Sequence, residues 1–131
     1  QNEVIQEIQT KECLVTPLGR YRKFWNRVSD PATLRECIAF LPKGTIGDLT
    51  NICLYRTWYK YDPWFIQVIL HAHDGTLNQC RKEDVSKAIE CVKACMTVPL
   101  IIHGRCMTIP CEVKTGMNWG KQSDSNPEGL V

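Results

Sequence analysis

The feature that most constrains this chain is its cysteine content, eight residues in a length of 131. No two of them have the Cys-x-x-Cys spacing that structural zinc sites favour. An even number of cysteines in a short chain is typical of a disulfide framework made in an oxidising compartment. The sequence therefore predicts a secreted protein with four disulfides and leaves their pairing open. The expected disulfide cysteines are Cys13, Cys37, Cys53, Cys80, Cys91, Cys95, Cys106 and Cys111.

The length suits one domain, residues 1–131, with a core over about 8–113 and an irregular tail over 114–131. No apolar run approaches the roughly 18 residues of a membrane span. No signal-peptide pattern opens the chain, so the sequence reads as a mature product. The net charge of +2 is too small to indicate nucleic-acid binding by itself, so an electrostatic function would depend on local patches.

Two runs rich in β-branched and aromatic residues, 52–61 and 64–73, flank the turn residues Asp62 and Pro63. The second run alternates apolar and polar residues with the period of a strand. Together the runs predict a β-hairpin whose even-numbered residues in the second arm face the core. Tyr55, Thr57 and Tyr59 would then join the apolar face. Arg56, Trp58 and Lys60 would share the opposite face with Gln67, His71 and His73.

Two helices are predicted around this hairpin. The first begins at Ser29-Asp30-Pro31 and ends before Pro42, with apolar residues at Leu34, Cys37, Ile38 and Leu41. Residues 42–50 then read as a loop, because they contain Pro42 and two glycines. The second helix is expected over about 81–96, after a turn at Asp74-Gly75.

Further strands are expected over about 8–15 and 100–109. The predicted fold is α+β, with an antiparallel sheet of about four strands, two main helices packed on one face, and disulfide staples between them.

The densest basic segment is 20–27, with four cations and three aromatics but no acid. We expect a strand or extended arm, with Phe24 or Trp25 partly exposed near Arg56 and Lys60. One interpretation is a surface for phosphate, nucleic acid or an acidic partner, to which Arg20, Arg22 and Lys23 would contribute. The other is a strand whose aromatics face the core while its cations remain solvated.

The three histidines support an enzymatic alternative. His71 and His73 lie two residues apart on a predicted strand, and with His103 they could hold a metal ion. They could also transfer protons beside Arg56, Lys60 or Arg105, as in a small secreted ribonuclease. No catalytic motif accompanies them, so a ribonuclease or metal-dependent hydrolase is the second hypothesis. An enzyme is less expected than a binding protein, and no metal or cofactor is expected.

This combination of size, eight cysteines and mixed strands and helices resembles the cysteine-rich avirulence effectors secreted by plant-pathogenic fungi. One structural family of these packs helices on an antiparallel sheet and carries a short Trp-Arg-hydrophobic-basic motif. The nearest segments here are 25–27 and 56–60, whose residue order differs from that motif. The resemblance covers architecture over about 8–113 and implies virulence activity on host tissue, with no residue role carried over.

The preferred function is thus a secreted effector that binds a host or target-organism protein, with a possible acidic contact surface on that partner. It is expected to be a monomer without a membrane span, located outside the cell or acting inside host cells. Nucleic acid is the less favoured partner. The expected contact residues are Arg56, Trp58, Lys60, His71, His73, Arg20, Arg22 and Lys23.

Overall fold

The computed structural model describes residues 2–25, 27 and 29–131. Asn26, within the predicted basic segment, lies outside the described residues. The element order is α1 (Asn2–Lys11), β1 (Cys13–Val15), β2 (Tyr21–Lys23), α2 (Pro31–Lys60), β3 (Gln67–Ala72), β4 (Gly75–Gln79), a 3₁₀ turn (Lys82–Asp84), α3 (Val85–Met96), β5 (Leu100–Ile102) and β6 (Arg105–Met107).

The central element is α2, which runs for 30 residues without interruption. It begins as the sequence indicates, since the Asp30 side chain accepts a hydrogen bond from Ala32 N (3.1 Å) and Pro31 occupies the first helical position. The helix continues through Pro42, although proline cannot donate the usual backbone hydrogen bond. The predicted loop over 42–50 and the predicted strand over 52–61 are therefore both wrong.

The buried side chains of α2 explain why this helix is hard to recognise. Several of them are threonines and cysteines, which do not form an obvious apolar stripe, and two threonine hydroxyls donate to backbone carbonyls four residues earlier. Their burial gives the helix contacts along most of its length. The buried residues are Thr33, Cys37, Phe40, Thr45, Leu49, Thr50, Cys53 and Thr57.

The two halves of α2 bury different faces. At about 100° per residue, Cys37 and Cys53 are separated by about 160° around the helix axis. The N-terminal half packs into one cluster with Ile8, Leu14 and Phe24, which come from α1, β1 and the residue after β2. The C-terminal half contributes Leu49 to a second cluster, in which it packs with Val98 and Leu100. A helix about 45 Å long thus supports two small cores rather than one.

The strands form three separate antiparallel hairpins, β1–β2, β3–β4 and β5–β6. The prediction of one four-stranded sheet with two helices on one face is wrong, since three helices and three two-stranded sheets are present in the described ranges. An isolated hairpin is marginally stable in water, so packing on a helix is needed. Both β1 and the β3–β4 hairpin contact α2.

The C-terminal tail forms no helix and only isolated bridges among its residues, but it closes on itself by backbone hydrogen bonds. Thr115 and Val131 exchange two of these bonds, at 3.2 and 3.0 Å. Close backbone packing accompanies this closure, because a Cβ added at Gly116 would lie 2.7 Å from the carbonyl group of Gly129. The tail is therefore irregular and folded back on itself.

All eight cysteines are free thiols in the structure, so the prediction of a disulfide-stapled fold is wrong for it. Three of them, Cys37, Cys53 and Cys95, are almost fully buried and act as small apolar core residues. None of the helices in the portion of the chain described here is long and apolar enough to cross a membrane.

Candidate functional site

The C-terminal part of α2 exposes three large aromatic side chains on one face, which we call the aromatic face: Tyr55, Trp58 and Tyr59. Their exposed fractions are 58%, 64% and 72%. Spacings of three and four residues place them side by side on a helix. Because Cys53 and Thr57 of the same turns are buried, the aromatic face points away from the local core.

The two tyrosines of the aromatic face are stacked. Their ring centroids lie 5.7 Å apart and the ring planes are inclined by 13°. Stacking at this distance is favourable and restricts the rotamers of both side chains. The aromatic face therefore presents a partly ordered apolar surface to solvent.

The charge around the aromatic face is positive. No aspartate or glutamate occurs between Leu49 and Tyr61, whereas Arg56 and Lys60 lie in this interval. Asp48, the nearest preceding acid, receives a hydrogen bond from Arg20 Nε at 2.9 Å and is paired with that guanidinium. The aromatic face thus has two cationic neighbours within α2, and Asp62, two residues after the end of the helix, is the first acid that follows it.

Arg56 and Lys60 differ in their surroundings. Arg56 is partly buried, and its Nη1 donates to the backbone carbonyl of Cys95 (3.4 Å) near the C-terminus of α3. A cation at this end of a helix is favourable because the last carbonyls are unpaired and carry partial negative charge. Arg56 therefore connects two helices, while Lys60 is exposed at the end of α2.

The basic segment contains the expected strand, β2, but its arginines are engaged within the protein. Arg20 pairs with Asp48, and Arg22 pairs with Glu36 while its guanidinium lies 4.8 Å from the Phe24 ring centroid. These contacts hold both arginines against α2. Neither arginine is therefore a freely solvated cation.

The two candidate aromatics of this segment have different environments. Phe24 is 5% exposed and packs edge-on against Phe40 at 6.0 Å, whereas Trp25 is 84% exposed. Lys23 Nζ lies 4.5 Å from the Trp25 ring centroid, a cation–π contact at the surface. Lys23 and Trp25 thus form a cation–π pair on the solvent-facing side of the segment, where Tyr21 is also exposed.

The histidines lie in two different hairpins, His71 and His73 in or beside β3–β4 and His103 in the turn of β5–β6. His73 and His103 occupy turn positions with φ of 52° and 49°, and His71 Nε2 lies 3.1 Å from the carbonyl oxygen of His73. Over residues 2–25, 27 and 29–131, no group of three or more His, Cys, Asp or Glu side chains is arranged to hold a metal ion. The predicted hairpin face with Arg56, Trp58 and Lys60 does not form, because those three residues are helical.

Three of the thiols, Cys37, Cys53 and Cys80, are poor nucleophiles. Burial raises the pKa of the Cys53 thiol, and neighbouring groups affect this pKa less than burial does. Burial is also the main reason that the pKa values of Cys37 and Cys80 are raised. A raised pKa keeps a thiol protonated at neutral pH, and the thiolate is the reactive form. These three cysteines therefore suit structural roles.

Sequence reasoning assigned Trp58 to the candidate surface but missed Tyr55 and Tyr59, which it placed on the buried side of a strand. A helical period applied to 49–60 identifies all three, since Cys53 and Thr57 then form the opposite face. No family model, curated protein or solved structure matches this chain, so the geometry of the aromatic face is the guide to function.

Proposed function

We propose that this chain is a binding protein that uses the aromatic face of α2 to contact a partner protein with an acidic and partly apolar surface. The observation that carries the proposal is the exposure of Tyr55, Trp58 and Tyr59 on one helical face, with the two tyrosine rings stacked. The same function was preferred from the sequence, with a different local structure for its contact residues.

Aromatic side chains on a helix suit protein recognition. Trp and Tyr are enriched among the residues that dominate interface energies, and adjacent positions allow them to enter one groove of a partner. Restricting the rotamers of Tyr55 and Tyr59 before binding reduces the entropy lost in the complex. The aromatic face therefore combines apolar area with partial preorganisation.

The charges select an acidic partner. Lys60 is exposed beside the aromatic face, and Arg56 adds a second positive charge nearby. Complementary charge accelerates association and disfavours basic partners. An acidic segment with apolar side chains would satisfy both the cations and the aromatic rings.

The total surface also supports binding. The chain exposes 9590 Å², whereas a compact monomer of this length exposes about 7000 Å². The difference exceeds the roughly 800 Å² that each partner buries in a standard interface. Covering the aromatic face would reduce an unusually large exposed area.

A displayed library of random peptides, selected on the purified protein, tests this proposal before any natural partner has been identified. We expect enriched peptides to combine Asp or Glu with apolar residues. Trp58→Ala should weaken their binding by about 30-fold, the effect of a central hot-spot residue. Trp25→Ala is the matched control, because Trp25 is at least as exposed but lies after β2, outside the aromatic face.

Enriched peptides that bind Trp58→Ala as tightly as the original protein would contradict the proposal. RNA is the competing partner class, and a random-sequence RNA pool should show no binding that depends on Trp58 or Lys60. RNA binding lost in both Trp58→Ala and Lys60→Glu would assign the aromatic face to nucleic acid instead. The extracellular location and the virulence role implied by the effector resemblance stay predictions.

A further inference from the structure

A second feature, separate from the aromatic face, is a cavity of about 1000 Å³ between α2, the β3–β4 hairpin, α3 and the C-terminal tail. Such a volume lies at the upper end of the range of about 300–1,000 Å³ for small-molecule sites in proteins. Three elements that follow one another in the chain, together with its C-terminal part, surround the space. The cavity is therefore a concave site and not a flat apolar patch.

The walls of the cavity are mainly apolar. Helix α3 contributes Val85, Ile89 and Val92, which lie on one side of that helix, and Ile66 contributes from the start of the hairpin. Several large apolar residues that line the cavity remain exposed to solvent, an arrangement typical of ligand-binding grooves. These exposed residues are Ile69, Ile109, Met117 and Trp119.

Asn78, on β4, provides the polar group that a specific ligand would need. Its Nδ2 donates to the Thr76 hydroxyl at 3.0 Å, while its Oδ1 is buried without a hydrogen-bond partner. Both residues line the cavity. Because the Thr76 hydroxyl can pair with only one end of the amide, one amide atom stays unpaired whichever way the group is oriented.

A buried polar atom without a hydrogen-bond partner destabilises a folded protein, so native structures rarely contain one. The Oδ1 atom is closed off from the cavity in this structure, so a ligand reaches the amide after the Asn78 side chain turns towards the cavity. A hydroxyl group then matches the amide, because it can donate to the amide oxygen or accept from the amide nitrogen. The apolar walls match an aliphatic body. We propose that this cavity binds an elongated lipophilic alcohol whose hydroxyl group hydrogen-bonds Asn78.

Two isomeric probes test the ligand class, n-decanol and methyl nonyl ether. They have the same atoms and similar length, but only the alcohol has an O–H donor. We expect the protein to bind n-decanol about tenfold more tightly than the ether, the effect of one hydrogen bond. Titration calorimetry below the solubility limit of each probe measures both affinities.

Two variants locate the binding. Asn78→Leu should lose the preference for n-decanol over the ether, because it keeps the side-chain volume and removes the amide. Trp119 lines the cavity whereas Trp25, Trp58 and Trp64 do not, so the fluorescence change caused by n-decanol should be lost in Trp119→Phe. Circular dichroism establishes that each variant retains its helices.

Absence of saturable binding by either probe would overturn the proposal. Equal affinity of the two isomers for the unmodified protein would overturn the assignment of an alcohol, and this measurement requires no variant. A fluorescence change that persists in Trp119→Phe would place the probe outside this cavity. Each outcome is independent of peptide binding at the aromatic face.

Discussion

The helix that replaces the predicted loop can be tested by two matched glycine substitutions. Gly44 and Gly47 lie three residues apart inside α2, in the stretch 42–50. A Cβ added at Gly47 meets nothing within 4 Å, whereas one added at Gly44 would lie 2.9 Å from Thr16 Cγ2. The two sites therefore share one helical context and differ in packing.

In a helix, replacing an unhindered glycine by alanine stabilises a protein by about 1 kcal/mol. We expect this gain for Gly47→Ala, and it corresponds to a rise in Tm of about 4 °C for a domain of this size. Gly44→Ala receives the same gain, but crowding against the β1–β2 connection costs about 1–3 kcal/mol. The stabilisation from replacing glycine by alanine in a helix is the same for both variants and cancels when they are compared. Gly44→Ala should therefore be about 1–3 kcal/mol less stable than Gly47→Ala.

Urea unfolding followed by far-ultraviolet circular dichroism measures both differences under the same reducing buffer. A Gly47→Ala variant that is no more stable than the original protein would show that residues 42–50 are not helical in solution. Equal stability of the two variants would show that Thr16 does not pack on α2 at Gly44. Either result would refute part of the reasoning.

Three further substitutions and titrations probe the rest of the structure. Phe40→Ala should lower the free energy of unfolding by about 3–5 kcal/mol, measured by urea unfolding, because it removes a buried ring from the first cluster. Interaction with the Cys91 thiol, together with burial, raises the pKa of Tyr61 from 10.0 to about 12. Its contribution to stability should therefore be complete below pH 10 and lost as pH rises towards 12. The pKa of Tyr21 is raised as well, so phenolate absorbance should show more than one late-titrating tyrosine, and Tyr61→Phe should remove the latest of them. Arg22→Glu should lower stability by about 1 kcal/mol in the same unfolding assay, because it places a carboxylate beside Glu36 and removes a cation–π contact.

Local signals in the sequence predicted several elements well. The Asp30-Pro31 start of α2 and the periodic stripe of α3 follow directly from capping and helical spacing. The Asp74-Gly75 pair forms part of a tight turn, and β2 lies inside the segment predicted to be extended. These features depend on neighbouring residues, which is why the sequence is sufficient for them.

The errors arise where tertiary packing determines the result. Residues 52–60 contain β-branched and aromatic side chains that favour a strand, yet burial of Cys53 and Thr57 against other elements makes them helical. Pro42 and the two glycines indicated a loop, because proline and glycine destabilise the interior of a helix. The tertiary contacts that offset this effect cannot be recognised from the neighbouring residues. Asp62 was correctly recognised as a turn residue, since its side chain accepts from Trp64 N at 2.8 Å, but it joins a helix to a strand.

The candidate site was predictable only in part, since Trp58 and Lys60 were assigned to a surface but Tyr55 and Tyr59 were not. Trp58 and Lys60 lie where a partner can reach them, whereas the histidines expected beside them belong to separate hairpins. The cavity could not be predicted, because its walls form only when a helix expected to be a loop and strand packs against the β3–β4 hairpin, α3 and the C-terminal part of the chain. Its volume, its exposed apolar side chains and the unpaired amide of Asn78 distinguish it from ordinary apolar packing.

The sharing of α2 between two clusters has a consequence for how the chain unfolds. Each cluster is too small to be stable alone, and both depend on the same continuous run of backbone hydrogen bonds. Loss of either cluster removes the packing that holds one half of the helix, and that half then unfolds. The remaining half becomes a shorter helix with a new free end, which frays. Amide hydrogens at both ends of α2 should therefore exchange with solvent through one common opening event, so that the helix couples the two cores into a single cooperative unit.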